Sequence, residues 1–422
     1  MSNQNLVHVI KKDELNSHKA LSIPRDNEAP LKPGHVRIRP VLVCLTYNNL
    51  SYARMGTIMK WWSTYPVPKN LPAPYNDDTQ YGIVPCWGYG EVVESQTEDF
   101  EPGRLIFGYW PFSDTTADYK LEQGDAKGHW DEQSEQRKEL MHVYNRYVAK
   151  GTEVRMSKVS EKEVNEMAME AVFFVWECAY LLNQVVLGPP YVHPFGDKGP
   201  PGQVWSAEQG DLEGAVVVSL SSGGRTARSF LCELINARPE GKHPLGLLAI
   251  TAKPDDKVVA AAQYPARAVS YDTATKQETL DWIAELKPKK VVICDFGGRG
   301  TSLTDLDEAL QRQLPGVRVV IVGIGAEAKV VSPQDLMKSM VKNMKMENRY
   351  QMNTGPARDV ILERMGAQAY FDQRDRAWTD FVRRGTPQDV KLIWGGKDDL
   401  ESGWEAVSSG GLASDAAFVY KL

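Results

Sequence analysis

The residues 216–231, VVVSLSSGGRTARSFL, combine a buried strand, a turn of small residues and the start of a helix. Ser222, Gly223 and Gly224 allow the backbone to approach a pyrophosphate closely at a helix N-terminus. Arg225 adds a positive charge that suits a phosphate. Dinucleotide-binding chains often bend in this way, although only half of the usual glycine fingerprint is present. The stretch therefore predicts a dinucleotide site.

The end of the next apolar strand bears on which nicotinamide cofactor would bind. NAD sites usually place an Asp or Glu at this strand tip to hold the ribose hydroxyls. Here the sequence is ITAKPDD, with Thr251 and Lys253 at the tip and no acid there. A hydroxyl and an ammonium group suit a 2′-phosphate, which favours NADP(H). The alternative is an ordinary strand-to-helix turn with a solvated Lys253.

Glu177 is a carboxylate within the apolar sequence FFVWECAYLL. Burial of an unpaired carboxylate is costly. Glu177 is therefore either an ion-paired structural residue or a functional acid or base with a raised pKa. A functional Glu177 would favour proton-transfer or C–C bond chemistry over plain hydride transfer.

The elements that must position these residues fall into two groups. Residues up to about 115 alternate in polarity or combine aromatic and β-branched residues with turn glycines, which predicts a β-rich module. From residue 214, continuous apolar strands alternate with helices, which predicts a parallel sheet covered on both faces. Between them, Ser160 and Glu163 form a capping-box pattern before a long predicted helix. The segment 187–212 is rich in proline and glycine and predicts an extended insertion or lid.

The chain returns to a helix and an alternating strand at its end, ESGWEAVSSGGLASDAAFVYKL. This order is expected when one domain is inserted into another. We predict one domain from residues 1–170 and 386–422, and a second from residues 171–385.

Composition excludes several classes of function. The 422 residues are 42% hydrophobic and 25% charged with a net charge of −6, and no long Lys/Arg cluster suggests a nucleic-acid partner. A membrane-spanning helix needs about 18 consecutive apolar residues, and no apolar run in this sequence is that long. The five cysteines are scattered singly, which favours a reducing cytoplasm, and the seven histidines lack metal-ligand spacing. We therefore expect a cytoplasmic protein with a small-molecule substrate and no metal.

Three motifs, in order, carry a family resemblance. They are LTYNNLSY at 45–52, WGYGEVVES at 87–95 and YNRY at 144–147. With the β, α/β, β order, the chain resembles the medium-chain dehydrogenase/reductase superfamily, and more closely a branch catalogued as a domain of unknown function. The resemblance implies an α/β protein with a GroES-like β-rich domain and a Rossmann-type doubly wound parallel sheet.

The resemblance is nearest to the zinc-free reductases. Gly88, Tyr89 and Gly90 stand where zinc alcohol dehydrogenases carry Gly-His-Glu, near Cys44. The LSSGGRT turn aligns with the Ala-Ala-Ser-Gly-Gly-Val-Gly turn of zinc-free relatives, with Thr226 in place of the last glycine.

A second part of the cofactor site is implied at CDFGGRG, which resembles the superfamily's Asp-x-x-Gly-Gly. This places Gly297 near the cofactor ribose. Together these matches imply NADP(H) as the cofactor.

The same resemblance places LTYNNLSYARMG across from the nicotinamide. Tyr52 then polarises a carbonyl or delivers a proton, and Asn48 and Asn49 donate hydrogen bonds to the same oxygen. Tyr47 replaces an alanine of the branch and narrows the pocket. The alternative is that the asparagines cap a turn.

Three functions remain open from the sequence. The first is an NADP(H)-dependent reductase of an activated C=C or C=O in a small or aromatic metabolite. The second is a lyase or hydrolase on the same fold that uses Glu177 or Tyr47, and the third is a non-catalytic cofactor-binding protein. By analogy with the superfamily we expect a homodimer, with VRVVIVGIG as a sheet edge.

Overall fold

The computed structural model describes residues 4–24, 29–152, 154–384 and 390–422. The chain forms two compact units. Unit 1 consists of Met1–Phe174, Ala328–Leu336 and Val390–Leu422, and unit 2 of Val175–Glu327 and Met337–Asp389. The domain boundary expected at 385/386 lies outside the described residues.

The strands and helices are numbered in chain order. The strands are β1 (Gln4–Lys11), β2 (Glu14–Pro24), β3 (Val36–Leu45), β4 (Tyr81–Gly82), β5 (Pro85–Ser95), β6 (Leu105–Pro111), β7 (Ala117–Tyr119), β8 (Leu121–Gln123), β9 (His129–Glu132), β10 (Arg146–Ala149), β11 (Ala215–Leu220), β12 (Gly246–Thr251), β13 (Ala266–Ser270), β14 (Lys290–Asp295), β15 (Arg318–Gly323), β16 (Arg349–Gln351), β17 (Lys391–Gly396) and β18 (Ala416–Lys421). The α-helices are α1 (Tyr47–Met55), α2 (Glu161–Val172), α3 (Trp176–Leu181), α4 (Ala207–Gly210), α5 (Arg225–Asn236), α6 (Gln277–Glu285), α7 (Ser302–Gln313), α8 (Pro333–Met344), α9 (Thr354–Met365), α10 (Ala367–Arg383) and α11 (Leu400–Ser408).

Unit 1 is built on a long, mostly antiparallel sheet. In the described part of the chain its strand order is β17-β18-β3-β5-β6-β10-β9-β8, with β7 also paired to β3. A smaller sheet has the order β2-β1-β4. The motif WGYGEVVES lies on β5, which pairs antiparallel with both β3 and β6. The predicted β-rich module is confirmed.

Unit 2 contains a parallel sheet with the order β13-β12-β11-β14-β15-β16. Strands β11 and β14 are buried along their whole length, because helices cover the sheet. The order reverses between β11 and β14, so the crevice at the carboxyl ends of these strands is the expected ligand site of a doubly wound fold. The predicted Rossmann-type sheet is confirmed.

The predicted long helix after Ser160 is interrupted. Ser160 and Glu163 form the expected capping box. However, α2 ends at Val172, and α3 begins only at Trp176. No glycine or proline lies in this break, so the sequence contained no helix-breaking signal. The prediction of one continuous helix is wrong.

The predicted sheet edge at VRVVIVGIG is also wrong. Strand β15 pairs with β14 on one side and with β16 on the other. Its backbone is therefore hydrogen-bonded on both sides, and among the described residues the edge strands of this sheet are β13 and β16.

The 187–212 insertion lies within unit 2 and is hydrogen-bonded to other segments of that unit. Asn353 donates its backbone N–H to Pro194 O at 2.9 Å, and Gln203 Nε2 donates to Arg349 O at 2.9 Å. Trp205 Nε1 donates to Val186 O at 3.0 Å. These bonds favour a fixed insertion over a free lid.

Among the described residues, no single helix has both the length and the apolar character needed to cross a membrane. One adjoining pair, Glu161–Val172 with Trp176–Val186, meets the criteria of length and composition only when the two helices are combined.

Candidate functional site

The turn after β11 is bonded to the neighbouring strand β12. Ser222 donates its backbone N–H to Ile250 O at 2.8 Å, and its hydroxyl to Ser219 O at 2.7 Å. Ser221 has a left-handed backbone, with φ of 69°. The Ser222 hydroxyl therefore fixes the shape of the turn, and the backbone that follows is the part left to meet a ligand.

Helix α5 begins at Arg225 without a side-chain cap. Gly224 is its N-cap residue and follows Gly223 in the turn, and a Cβ atom at Gly224 would meet no atom within 4 Å. The amides of the first helical turn, which include that of Thr226, lack intrahelical acceptors. The positive end of the helix dipole adds to their attraction for anions. Arg225 itself is buried, with 9% of its surface exposed.

The loop after β14 is held by a buried carboxylate. Asp295 Oδ1 accepts the backbone N–H groups of Gly297 at 3.0 Å and of Gly298 at 2.8 Å. Burial raises the pKa of Asp295, and the two amides work against this shift. Gly297 has φ of +112°, and a Cβ there would lie 2.5 Å from Ala326 O. The loop after β14 therefore packs closely against the backbone of the loop after β15 at the crevice.

A cavity of about 410 Å³ opens at the same end of the sheet. Its walls come from the ends of β11, β12 and β13 and from the start of α7. They are formed by Leu220, Ile250, Ala252, Ser270, Tyr271, Asp272, Ala274, Thr275, Arg299, Thr301, Ser302 and Asp305. Of the predicted tip residues, Thr251 is half-buried and Lys253 is exposed, and they flank the lining residue Ala252 in the chain.

Tyr271 and Arg299 form a cation–aromatic pair in this cavity wall. The Arg299 guanidinium lies 5.6 Å from the centre of the Tyr271 ring. Burial raises the pKa of Tyr271, and a hydrogen bond with Ser221 works against this shift and links the ring to the turn after β11. The hydroxyl of Ser302, also in the wall, is buried and has no hydrogen-bond partner within the described ranges. None of these three residues was predicted from the sequence, although Tyr271 directly follows β13.

Tyr52 lies on α1 of unit 1 and is only 3% exposed. Trp87 Nε1 donates a hydrogen bond of 2.9 Å to its hydroxyl oxygen. The ring packs edge-on against Trp61 and Tyr109, with centroid distances of 4.7 and 5.2 Å. Burial, followed by the nearby Tyr144, raises the pKa of Tyr52 well above its ordinary value. The phenol is therefore neutral, and its oxygen already accepts a hydrogen bond.

The two neighbouring asparagines differ in their surroundings. Asn49 Oδ1 accepts the Thr46 backbone N–H at 2.8 Å, and Asn49 Nδ2 donates to Pro85 O at 3.0 Å. Asn49 therefore caps α1 and ties it to β5, as in the alternative that the sequence left open. Asn48 lies beside Tyr52, where its amide favours the ionised phenol and so opposes the rise in pKa.

Tyr47 is directed to another part of unit 1. Its hydroxyl donates to Leu412 O at 2.7 Å, in the segment between α11 and β18. Burial raises the pKa of Tyr47, and this hydrogen bond works against the shift. The observed contact joins α1 to the C-terminal segment and gives Tyr47 a structural partner.

Glu177, in unit 2, is ion-paired. Arg358 Nη1 lies 3.3 Å from its Oε2, and the Tyr370 hydroxyl donates to its Oε1 at 2.6 Å. Burial alone would raise the pKa of Glu177, but Arg358, Arg374 and the Tyr370 hydrogen bond hold it below its ordinary value. This is the ion-paired, structural alternative that the sequence left open, and Arg358 and Arg374 compensate the buried charge.

Gly88 and Cys44, which stand near the positions of the zinc ligands in zinc alcohol dehydrogenases, are closely packed in this structure. A Cβ at Gly88 would lie 2.0 Å from Leu42 O. Cys44 Sγ donates to Ala171 O at 3.2 Å. Nowhere in the described part of the chain do three or more His, Cys, Asp or Glu residues lie in an arrangement that could hold a metal ion.

Comparison with known proteins gives a family and a fold. A family model described as "Protein of unknown function (DUF2855)" matches residues 43–413. No curated protein matches the sequence.

Several solved structures match nearly the whole length of the chain. The mitochondrial 2-enoyl thioester reductase Etr1p/Etr2p heterodimer from Candida tropicalis has a TM-score of 0.51 at 10% identity, covering 99% of this chain and 100% of that chain. CurA in complex with NADPH from Vibrio vulnificus has a TM-score of 0.51 at 11% identity, covering 99% and 98%. A mutant enoyl thioester reductase from Candida tropicalis has a TM-score of 0.50 at 11% identity, covering 99% and 100%. At these identities the comparisons establish that the chain shares the fold of these proteins.

Proposed function

The chain belongs to the DUF2855 family, and from this premise we propose that it is an NADP(H)-dependent, zinc-free reductase. Its substrate would be a small or aromatic metabolite with an activated C=C or C=O. The family name assigns no activity, so the proposal rests on the chemistry of the two units. The observation that carries it is the 410 Å³ cavity beside the uncapped N-terminus of α5.

The residues around this crevice fit a dinucleotide. The backbone of residues 222–226 would hold the pyrophosphate, since it leads into the N-terminus of α5 and Gly224 carries no Cβ to obstruct the approach. The cavity would take the adenosine half, with the Tyr271 ring and the Ser302 hydroxyl as contacts. Gly297 packs against the backbone at Ala326 and has no side chain, so it would leave space for the ribose.

The preference for NADP(H) is proposed from charge. Arg299 is exposed in the cavity wall, Lys253 is exposed just after β12, and β12 ends without an acid. These cations suit a 2′-phosphate, whereas an acid at the β12 tip would suit the free ribose hydroxyls of NAD. The solved relative CurA, which carries NADPH, supports the same choice.

Tyr52 is the proposed proton donor. When bound, NADPH supplies a hydride to the substrate. Tyr52 would hydrogen-bond the substrate oxygen and then give the proton that completes the reduction. Its raised pKa keeps the proton on the phenol, and the Trp87 hydrogen bond fixes the phenol oxygen. Asn48 would assist beside it, while Asn49 and Tyr47 hold α1 in place.

No observation favours the alternative of a lyase or hydrolase. Glu177 is neutralised by Arg358, and Tyr47 is bonded to Leu412 O. Zinc-free chemistry is proposed because Gly88, Tyr89 and Gly90 supply no ligand where related dehydrogenases have histidine and glutamate.

The test is oxidation of NADPH by a panel of enones, quinones, aldehydes and 2-enoyl thioesters, followed as loss of NADPH absorbance. We expect turnover with at least one class, and no loss of turnover after dialysis against a zinc chelator. Tight NADPH binding without oxidation by any class would favour the non-catalytic alternative. Loss of turnover on chelation would contradict the zinc-free proposal.

A further inference from the structure

Four buried aromatic rings of unit 1 surround one ring that is only half-buried. The four-ring cage consists of Tyr52 on α1, Trp61 in the turn that follows α1, Trp87 on β5 and Tyr109 on β6. The half-buried ring of Tyr144 contacts all four. Its centroid lies 5.9, 5.4, 6.3 and 4.9 Å from the rings of Tyr52, Trp61, Trp87 and Tyr109. Of these five rings, that of Tyr144 is the most exposed.

The cage carries hydrogen-bond donors that the surrounding residues leave unsatisfied. The Tyr109 hydroxyl and Trp61 Nε1 are buried and have no hydrogen-bond partner within the described ranges. The Tyr52 oxygen accepts the bond from Trp87, so its hydrogen remains to be donated. The phenols of Tyr52 and Tyr144 lie close enough to Tyr109 to add to the rise that burial causes in its pKa. Because most buried polar groups in native proteins are hydrogen-bonded, these donors indicate a ligand with an acceptor oxygen.

The motif YNRY fixes the backbone beside Tyr144 and leaves the Tyr144 ring nearest to solvent. The Tyr147 hydroxyl donates to Tyr109 O at 2.8 Å, and Asn145 Nδ2 donates to Arg137 O at 3.0 Å. Arg137 is itself buried and donates to the Tyr147 hydroxyl at 2.7 Å. The Tyr144 ring can therefore leave the cage by rotation of its own side chain, without release of the rest of the motif.

The proposed function requires the Tyr52 hydroxyl to reach a substrate, yet Tyr52 is only 3% exposed. We propose that Tyr144 holds the position that the substrate's ring takes, and that a planar aromatic carbonyl compound displaces it. The substrate's ring then lies among the four rings of the cage, and its oxygen accepts hydrogen bonds from Tyr52 and Tyr109. This inference rests on the proposed function for the role of Tyr52. It adds the substrate class and makes Tyr144 a specificity-determining residue.

The cage favours a planar ring for a physical reason. Aromatic pairs with centroids about 4.5–7 Å apart attract each other beyond the effect of the area that they bury. Tyr144 makes four such pairs, and an aryl ring in its place would make the same four. A saturated ring of the same size buries a similar area and lacks this attraction. We therefore expect the cage to discriminate an aryl ketone from its cyclohexyl analogue.

Binding in the absence of NADPH is the first test. Titration calorimetry with benzylideneacetone and with its cyclohexyl analogue measures the effect of ring planarity alone. We expect the wild-type protein to bind the phenyl compound at least about tenfold more tightly. Equal affinities for the two compounds would overturn the proposal, and so would the absence of binding to the phenyl compound.

Variants of Tyr144 test the displacement. Tyr144→Ala removes the internal competitor, so it should bind benzylideneacetone about tenfold more tightly than the wild type. Tyr144→Leu fills part of the space, and it should tighten binding to a smaller extent even if Tyr144→Ala does not fold. Unchanged or weaker binding in these variants would show that Tyr144 is a fixed part of the wall.

The matched control is Tyr75→Ala. Tyr75 is also a half-buried tyrosine of unit 1, and it packs edge-on against Tyr81 at a centroid distance of 5.2 Å, outside the cage. It should leave the affinity for benzylideneacetone unchanged. An equal gain in Tyr75→Ala and Tyr144→Ala would overturn the assignment of the site.

A second comparison separates the proposed site from a cavity created by mutation, which also binds apolar rings. The probe is the hydrocarbon in which a methylene group replaces the carbonyl of benzylideneacetone. Adding Tyr109→Phe to Tyr144→Ala should weaken ketone binding by about tenfold and leave hydrocarbon binding unchanged. Tyr109→Phe removes a hydroxyl that has no partner among the described residues, so the fold should be retained. Ketone affinity that does not depend on this hydroxyl would contradict the proposal.

Turnover distinguishes this inference from the proposed reductase function. If benzylideneacetone binds as expected but neither it nor any other compound of the panel oxidises NADPH, the aromatic site stands and the reductase proposal fails. If NADPH is oxidised equally well by the phenyl and cyclohexyl enones, the reductase proposal stands and the inference on Tyr144 fails.

Discussion

The indole N–H of Trp87 donates a 2.9 Å hydrogen bond to the hydroxyl oxygen of Tyr52. The two residues are 35 positions apart, on β5 and α1. Because the oxygen of Tyr52 already accepts this bond, its own hydrogen remains the group to offer to a substrate. Burial keeps that hydrogen in place by raising the pKa of the phenol.

Removal of the Tyr52 hydroxyl should reduce turnover and leave cofactor binding unchanged. We expect Tyr52→Phe to lower kcat by about 100-fold, the usual effect of losing a positioned proton donor. Steady-state kinetics and an NADPH titration measure the two properties. Tyr47→Phe is the control, because Tyr47 donates to Leu412 O and should retain most of kcat. Equal losses in both variants would argue against a special role for Tyr52.

The cavity wall at Tyr271 and Arg299 should determine cofactor affinity. We expect Arg299→Ala to weaken NADPH binding by about 10-fold to 100-fold, because one charge-assisted hydrogen bond contributes about 1.5–3 kcal/mol. NADH binding should change little, because NADH has no 2′-phosphate. Titration calorimetry with both cofactors measures the difference.

The matched control is Arg267→Ala. Arg267 also lies over an aromatic ring of unit 2, 5.2 Å from the centre of Trp282, but outside the cavity lining. It should leave NADPH affinity unchanged. If Arg267→Ala weakened NADPH binding as much as Arg299→Ala does, the assignment of the cavity would be incorrect.

Gly297 should tolerate no side chain. Its φ of +112° is strained for other residues, and a Cβ would lie 2.5 Å from Ala326 O. We expect Gly297→Ala to lower the free energy of unfolding by about 3 kcal/mol. Gly300→Ala should cost only about 1 kcal/mol, since Gly300 has φ of +54° and open space around it. Chemical denaturation compares the two, and equal losses would mean that the backbone contact has no effect.

Glu177 should contribute stability that depends on pH. We expect Glu177→Gln to lower the free energy of unfolding by about 3 kcal/mol at neutral pH, because Arg358 would remain as a buried, uncompensated charge. The folded pKa of Glu177 is depressed, so its contribution is present above the unfolded pKa and is lost as pH falls through the folded pKa. Thermal unfolding measured as the pH is lowered from 7 should therefore show the wild type and the variant converging once the pH falls below the depressed folded pKa of Glu177.

Glu233 is the matched control with the opposite shift. It accepts a hydrogen bond from Trp176 Nε1 at 3.0 Å, and burial raises its pKa. Glutamine keeps the acceptor and removes the buried charge. Glu233→Gln should therefore be neutral or stabilising at neutral pH. A loss equal to that of Glu177→Gln would contradict the ion-pair account.

The sequence was sufficient to predict the sheets. The continuous apolar runs AVVVSL and KVVICD predicted parallel strands, and VRIRPVLVCL, which alternates in polarity and then becomes apolar, predicted β3. The break between Val172 and Trp176 was not predicted, since it contains neither glycine nor proline.

The hydrogen-bond and ion-pair partners of the candidate site residues were harder to predict from the sequence than the strands. Glu177 finds Arg358 and Tyr370 at separations of 181 and 193 residues, and no local pattern encodes such a pairing. Asn49 caps α1 through Thr46, in a capping box that uses asparagine in place of the usual glutamate. Tyr271 could have been predicted as a site residue, because residues that follow parallel strands line the crevice of this fold.

Direct titration of the wild-type protein with NADPH and with NADH tests the central claim. The account predicts a dissociation constant for NADPH on the order of micromolar, with NADH at least about tenfold weaker. It also predicts that NADPH raises the thermal unfolding temperature, since ligands that bind only the folded state stabilise it. No binding of either cofactor below millimolar concentrations would contradict the account.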